Sequence, residues 1–327
     1  MADYARESIL EIKDLSIVYP ISIGTVRAVE GISLSVLKGE VLGIVGESGC
    51  GKSTLGLSIL KLMKPPGRIT SGSILYKGTD VLTMDEKSLL NLRGVNIAMI
   101  FQNPLTSLDP LVTVQDHFIE AIRVHESEVS RKDCVGRAEA ILADLGIEAR
   151  RLTEYPYQLS GGMRQRIMIG LALILHPDIL LADEPTTALD VIVEAGFTDL
   201  LMKLKRQYDL TVLLISHNLG LVAEMADRIA VMYGGRIAEL ASAADIFAKP
   251  LHPYTRGLMD CVPNILLDQK ELTAMPGSPP DLVNAVEGCP FAPRCPKVMD
   301  VCRLRTPALR NMGGERSVAC WLYERNE

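Results

Sequence analysis

Aromatic residues make up only 5% of this 327-residue chain, and tryptophan occurs once. The core must therefore be aliphatic, which a 48% hydrophobic share readily supplies. Basic excess is also missing, since 34 Lys and Arg stand against 40 Asp and Glu. A nucleic-acid binder held by a broad basic face is thereby disfavoured, and no nucleic-acid partner is expected. No apolar run approaches the roughly 20 residues of a bilayer span. The longest near the middle, Ile167 to Leu175, ends at His176, Pro177 and Asp178. The opening MADYARES carries acidic residues and no apolar stretch, so no secretory signal and a cytoplasmic address are expected. Low-complexity tracts and solenoid-length repeats are absent. Seven cysteines are an odd number for a disulfide framework, and four of them, Cys289, Cys295, Cys302 and Cys320, crowd into the tail.

What is present reads as an α/β protein of about two domains. Short apolar stretches at Ile9 to Tyr19, Val26 to Val36, Glu40 to Val45, Ser73 to Tyr76 and Ile97 to Phe101 predict strands. From Leu111 to Tyr157 the spacing turns helical, with Val114, Phe118, Ile122, Ala138, Ile141, Leu142 and Leu145 recurring among charges. A helix is expected near Ser160. Unalternated strands at Ile179 to Ala182 and Thr211 to Ile215 flank a helix from about Val191 to Gln207, as in a parallel sheet buried on both faces. After His252 the proline and cysteine content climbs, which predicts a small irregular module rather than more sheet.

The strongest chemical signal is GESGCGKS, Gly46 to Ser53, following a predicted strand and opening a predicted helix. Backbone N–H groups around Gly46, Ser48, Gly49, Cys50 and Gly51 can turn onto phosphate oxygens, and the helix start at Lys52, Ser53 and Thr54 adds its dipole. Lys52 would reach the β- and γ-phosphates, and the Ser53 hydroxyl would join the shell of Mg²⁺. Cys50 is read as a small side chain fitting a crowded loop. A second element, ILLADEP, is an apolar strand ending in two carboxylates. Asp183 is suited to Mg²⁺ and Glu184 to activating a water, although an acidic pair before proline can also be a simple helix cap. LSGGMRQR makes a third donor nest at Ser160, Gly161 and Gly162, for which N-capping by Ser160 is the plainer reading.

Taken together these elements resemble ATP-binding cassette (ABC) ATPases. The phosphate loop, LSGG, the strand ending in Asp-Glu, TALD at Thr187 to Asp190 and His217 after the next strand occur in that family's order over about Ile9 to Lys249. The resemblance implies a P-loop NTPase core of mixed sheet and flanking helices, an antiparallel β subdomain and a helical subdomain at about 103–175. It implies that two such domains pair head to tail around ATP, with Ser160, Gly161 and Gly162 serving the partner's nucleotide. Gln102, in FQNP, would touch Mg²⁺ and the attacking water, and His217 the γ-phosphate. Asp190 would lie at the interface, and Tyr19 would stack on adenine, although an aromatic in a strand is also ordinary core. Two positions depart from the common pattern: Met163 stands where Gln is frequent, and Asn218 where Asp is.

The tail narrows the resemblance. LHPYTRGLM from Leu251, MPGSPPDL from Met275 and GCPFAPRCP from Gly288 resemble the C-terminal extension of dipeptide and oligopeptide importer ATPases. The chain is thus expected to divide into a nucleotide-binding domain at 1–252 and a small Cys-rich extension at 253–327. The extension's cysteines, spaced C-x5-C-x6-C-x17-C, would by that resemblance ligate a [4Fe–4S] cluster. From the residues alone, four thiolates also suit Zn²⁺, whose usual C-x2-C knuckle is missing, and unligated thiols remain open. The implied partners are a second and different ATPase subunit, two transmembrane permeases and an extracytoplasmic substrate-binding protein, with the chain on the cytoplasmic face of the membrane. Nickel or oligosaccharide import by the same machinery is the alternative, nickel relatives usually lacking such a tail. A non-transport cassette would be expected to carry two phosphate loops or a coiled coil, and neither is present.

Overall fold

The computed structural model describes residues 7–102, 108–186, 191–261, 275–283 and 287–324. It separates into two compact units, one of residues 1–82 with 214–327 and the other of residues 83–213.

In the first unit, strands β1 (Ser8–Ile21) and β2 (Gly24–Leu37) form an antiparallel hairpin, and β1 also pairs with β4 (Arg68–Tyr76), which the short β5 (Thr79–Asp80) follows. Leu10, Ile12, Leu15, Ile17 and Ile32 are fully buried by this sheet, confirming that its core is aliphatic. The register of β1 shifts along both partners, so the long strand is bulged and bent rather than flat. A second sheet is built on β3 (Val41–Val45), buried along its whole length and parallel to β9 (Arg228–Tyr233). Burial on both faces is why its sequence does not alternate. Beyond β9 the order continues through β10 (Arg236–Ser242), β12 (Arg316–Val318) and β11 (Arg310–Gly313), all antiparallel. Here the structure corrects the expected irregular tail. Glu239 pairs with Val318 and Leu240 with Ser317, so the extension adds two strands to a sheet begun before it. Strands of three and four residues carry too little periodicity to be read from sequence.

The buried carboxylate of Glu40, at the turn into β3, accepts from the Leu37 N–H at 2.6 Å and from Arg228 on β9 at 3.2 Å. Burial pushes its pKa up, while these donors hold it down.

In the second unit, β6 (Ile97–Ile100) runs parallel to β7 (Ile179–Asp183). The helices of this unit are α2 (Glu86–Leu92), α3 (Val114–Arg123), α4 (Arg131–Asp144), α5 (Gly161–Leu173) and α6 (Val191–Tyr208). Thr113, Ser130 and Ser160 cap α3, α4 and α5, each hydroxyl accepting a backbone N–H three residues on. The inward faces are the ones the spacing predicts: Val114, Phe118 and Ile122 on α3, and Ala138, Ile141 and Leu142 on α4. Strand β8 (Thr211–Ser216) carries the chain back into the first unit. No helix among the described residues is long and apolar enough to cross a membrane.

Candidate functional site

In the first unit, residues 46–53 join β3 to helix α1 (Lys52–Ile59). The loop is wrapped so tightly that two glycines are obligatory. Gly46 has φ 155, and a Cβ there would lie 2.2 Å from the Met232 carbonyl oxygen. Gly51 has φ 103, and its Cβ would lie 2.0 Å from the Ala28 carbonyl oxygen. These are left-handed conformations and close backbone approaches that only glycine supports. Lys52 is 5% exposed and curls back over the loop, its Nζ donating to the carbonyls of Gly46 at 2.8 Å and Glu47 at 3.1 Å. Its Nζ also lies 3.9 Å from the Cys50 sulfur, and a buried ammonium held by such neutral dipoles is a counter-charge suited to phosphate. Burial pushes the Cys50 thiol up, which keeps it a small neutral packing group rather than a reactive thiolate.

Also in this unit, Tyr19 is half-buried on β1, its ring against Gly67, where a Cβ would meet the ring at 2.5 Å. His217 stands exposed between β8 and α7 (Leu219–Met225). Asn218 is the cap of α7, its Oδ1 accepting from Gly220 at 3.0 Å and Leu221 at 3.3 Å. Asn and Asp cap equally well, so this departure from the common pattern leaves the helix start intact.

In the second unit, β7 delivers Asp183, which is 5% exposed, to the strand end, with Glu184 next. Glu184 has φ 46, a left-handed conformation that costs a non-glycine residue about 1–2 kcal/mol. Such strain concentrates at functional sites. The carboxylate Oε2 of Glu184 accepts a 2.6 Å hydrogen bond from Nε2 of Gln102. Sequence spacing put these residues 82 positions apart, and the fold joins them.

Ser160 caps α5, accepting from the Met163 N–H at 3.3 Å, so the plain reading of Ser160 is correct and leaves a phosphate role open. The structure adds one residue that motif reasoning passed over. Gln165, 2% exposed on α5, donates from Nε2 to the Pro185 carbonyl at 2.6 Å. It ties the signature helix to the residue after Glu184. A buried amide with one specific partner has no sequence signal beyond its polar character at an inward helical position. Asp190, with the rest of TALD, and Asn103 and Pro104 of FQNP lie outside the described residues.

In the tail, Cys289, Cys295, Cys302 and Cys320 line one small pocket together with His252 and Trp321. The Cys289 N–H donates to the Cys302 carbonyl at 2.7 Å, joining the first and third cysteines through the backbone. Burial, reinforced by Cys302, Cys320 and Cys295, pushes the Cys289 thiol up to about 11. Burial likewise raises Cys295 and Cys320. Thiols so placed stay protonated unless a cation compensates them, and a sulfur-only donor set is chemically matched to iron–sulfur or zinc. The side chains nevertheless do not stand in a ligating array. Among the described residues no group of three or more His, Cys, Asp or Glu could hold a metal ion as positioned.

Comparison with known proteins agrees with this arrangement. Residues 29–187 match the ABC transporter family, and residues 238–302 match the oligopeptide/dipeptide transporter C-terminal region. The dipeptide transport ATP-binding protein DppD of Bacillus subtilis is 46% identical, covering 97% of this chain and 96% of that protein. The oligopeptide transport ATP-binding protein OppD of Salmonella typhimurium is 41% identical, covering 96% and 93%. Among solved structures, a bacterial ABC transporter cassette determined as a dimer matches with a TM-score of 0.64 at 28% identity, covering 72% of this chain and 98% of that one. The same cassette, in a post-hydrolysis state bound to ADP and phosphate, matches equally well.

Proposed function

Since the chain belongs to the ABC transporter family, we propose that it is the ATP-hydrolysing subunit of an importer of dipeptides or oligopeptides, acting at the cytoplasmic face of the membrane. The observation that carries the cargo class is the tail: near-complete coverage by peptide-transport relatives together with the match of residues 238–302 to the peptide-transporter C-terminal region. In this reading residues 1–252 are the nucleotide-binding domain, with a helical part at about 103–175, and 253–327 are the extension. The working assembly holds a second, different ATPase subunit, two permeases and an extracytoplasmic binding protein.

The chemistry follows from charge. Lys52 and the loop amides of residues 46–53 neutralise the β- and γ-phosphates, and Tyr19 stacks on the adenine. Ser53, Gln102 and Asp183 would hold Mg²⁺, which supplies Lewis-acid neutralisation of the phosphate oxygens. Glu184 takes the proton from the attacking water, and the short bond from Gln102 aims its carboxylate. His217 donates to the γ-phosphate as charge builds there. Ser160, Gly161 and Gly162 face the nucleotide of the partner ATPase, and Asp190 the interface. ATP binding draws the two ATPases together, hydrolysis lets them part, and the helical part passes that motion to a permease. Cys289, Cys295, Cys302 and Cys320 are the donors proposed for a [4Fe–4S] cluster, with Zn²⁺ the alternative, and they would have to move from their present positions to ligate either.

Reconstituted in proteoliposomes with its partners, the chain is expected to hydrolyse ATP faster when peptide-loaded binding protein is added. Stimulation by nickel- or oligosaccharide-loaded binding protein and not by peptide would overturn the cargo reading. For the tail, anaerobically purified protein should carry about four iron atoms per chain with broad visible absorbance. One zinc per chain, or no metal, would remove the cluster.

A further inference from the structure

We infer that Arg294 is a positioning residue for the phosphate loop: it clamps Glu47, so that nucleotide affinity depends on the cysteine-flanked turn that carries Arg294. The inference rests on the reading of residues 46–53 as an ATP site.

Arg294 is the residue before Cys295 in GCPFAPRCP, a motif notable otherwise for its cysteines. Its side chain is 5% exposed and the guanidinium uses all three nitrogens. Nη1 donates to Glu47 Oε2 at 2.8 Å and Nη2 to Glu47 Oε1 at 2.9 Å, a two-pronged fork on one carboxylate. Nη1 also reaches the Tyr233 hydroxyl at 3.2 Å, and Nε donates to the Pro276 carbonyl at 2.9 Å. The tail holds Glu47 by its backbone too, since the Tyr254 hydroxyl accepts the Glu47 N–H at 3.0 Å. Tyr233, Tyr254 and Phe291 pack on one another with ring centroids 4.4 to 5.5 Å apart and wall the clamp.

Glu47 sits between Gly46 and Ser48 in the loop, and its carbonyl accepts from Lys52 Nζ at 3.1 Å and from the Cys50 N–H at 3.3 Å. Fixing Glu47 therefore fixes the carbonyl that holds the loop's own lysine. Arg294 in turn ends a single tight turn, Ala292–Arg294, bounded by Cys289 and Cys295. The Ala292 N–H donates to the Cys289 carbonyl at 2.9 Å and the Cys295 N–H to the Ala292 carbonyl at 3.3 Å. These backbone bonds hold the turn that carries Arg294, and through it the loop.

The test is titration of the full chain with a fluorescent ATP analogue. Glu47→Gln removes a negative charge beside a polyanion site, so charge alone predicts tighter binding. The clamp predicts the reverse: E47Q and Arg294→Met each weaken affinity about tenfold, and the double variant is no weaker than either single one. Arg294→Lys, which keeps the charge but not the fork, should recover only part of the loss. Unchanged or tighter binding by E47Q, or losses that multiply in the double variant, overturns the clamp. If R294M does not fold, the E47Q and R294K arms decide the matter. An unaltered chain that binds no nucleotide would instead overturn the ATP-site reading itself.

Discussion

ATP turnover by the assembled transporter is expected to fall by about 10²- to 10⁴-fold when Glu184 is replaced by Gln, with nucleotide affinity changed less than about threefold. The substitution keeps the volume and the left-handed backbone at φ 46, and removes only the capacity to take a proton. Gln102 already donates to Oε2 at 2.6 Å, and the new amide can present an oxygen to the same donor. The site therefore stays assembled while its base is lost. A lowered kcat with unchanged affinity is the signature of an interaction made only in the transition state. Full-rate hydrolysis by E184Q would take the base role away from Glu184.

The second large effect is expected from Gly51→Ala, which should cost about 3 kcal/mol of stability or more and abolish detectable ATP binding. Two penalties combine. The φ of 103 is outside what an L side chain tolerates, and the new Cβ would meet the Ala28 carbonyl oxygen at 2.0 Å. That oxygen belongs to β2, which is hydrogen-bonded along its length to β1, so the loop must move instead of the obstacle. Gly49→Ala is the internal control. Its φ of 80 is also left-handed, but a Cβ there has nothing within 4 Å, so only the backbone cost of about 1–2 kcal/mol applies. Urea unfolding of both variants separates the terms, and equal losses would show that the Ala28 contact is not decisive.

Much of the fold was legible because burial leaves a local trace. Strands β3, β7 and β8 are buried on both faces and read as unbroken apolar runs, while α3 and α4 show their inward faces at three- and four-residue spacing. The tight loop at residues 46–53 was legible for a related reason, since its glycines, lysine and hydroxyl fall within eight consecutive residues. Strands β11 and β12 escaped because an edge of three or four residues is defined by its partner and not by its own pattern.

What the sequence by itself determined is therefore the set of short-range devices: the loop, the strand-end carboxylates, the signature cap and the four clustered cysteines. Only the tertiary structure decided which distant residues complete them. Gln102 meets Glu184, Gln165 reaches the Pro185 carbonyl, and Arg294 grips Glu47 from 247 positions away. Single polar side chains at these separations leave no periodicity to read. For Gln165 and Arg294 burial fixes the partner, because a buried polar group must be paired, whereas the exposed Gln102 meets Glu184 because the ends of β6 and β7 lie side by side.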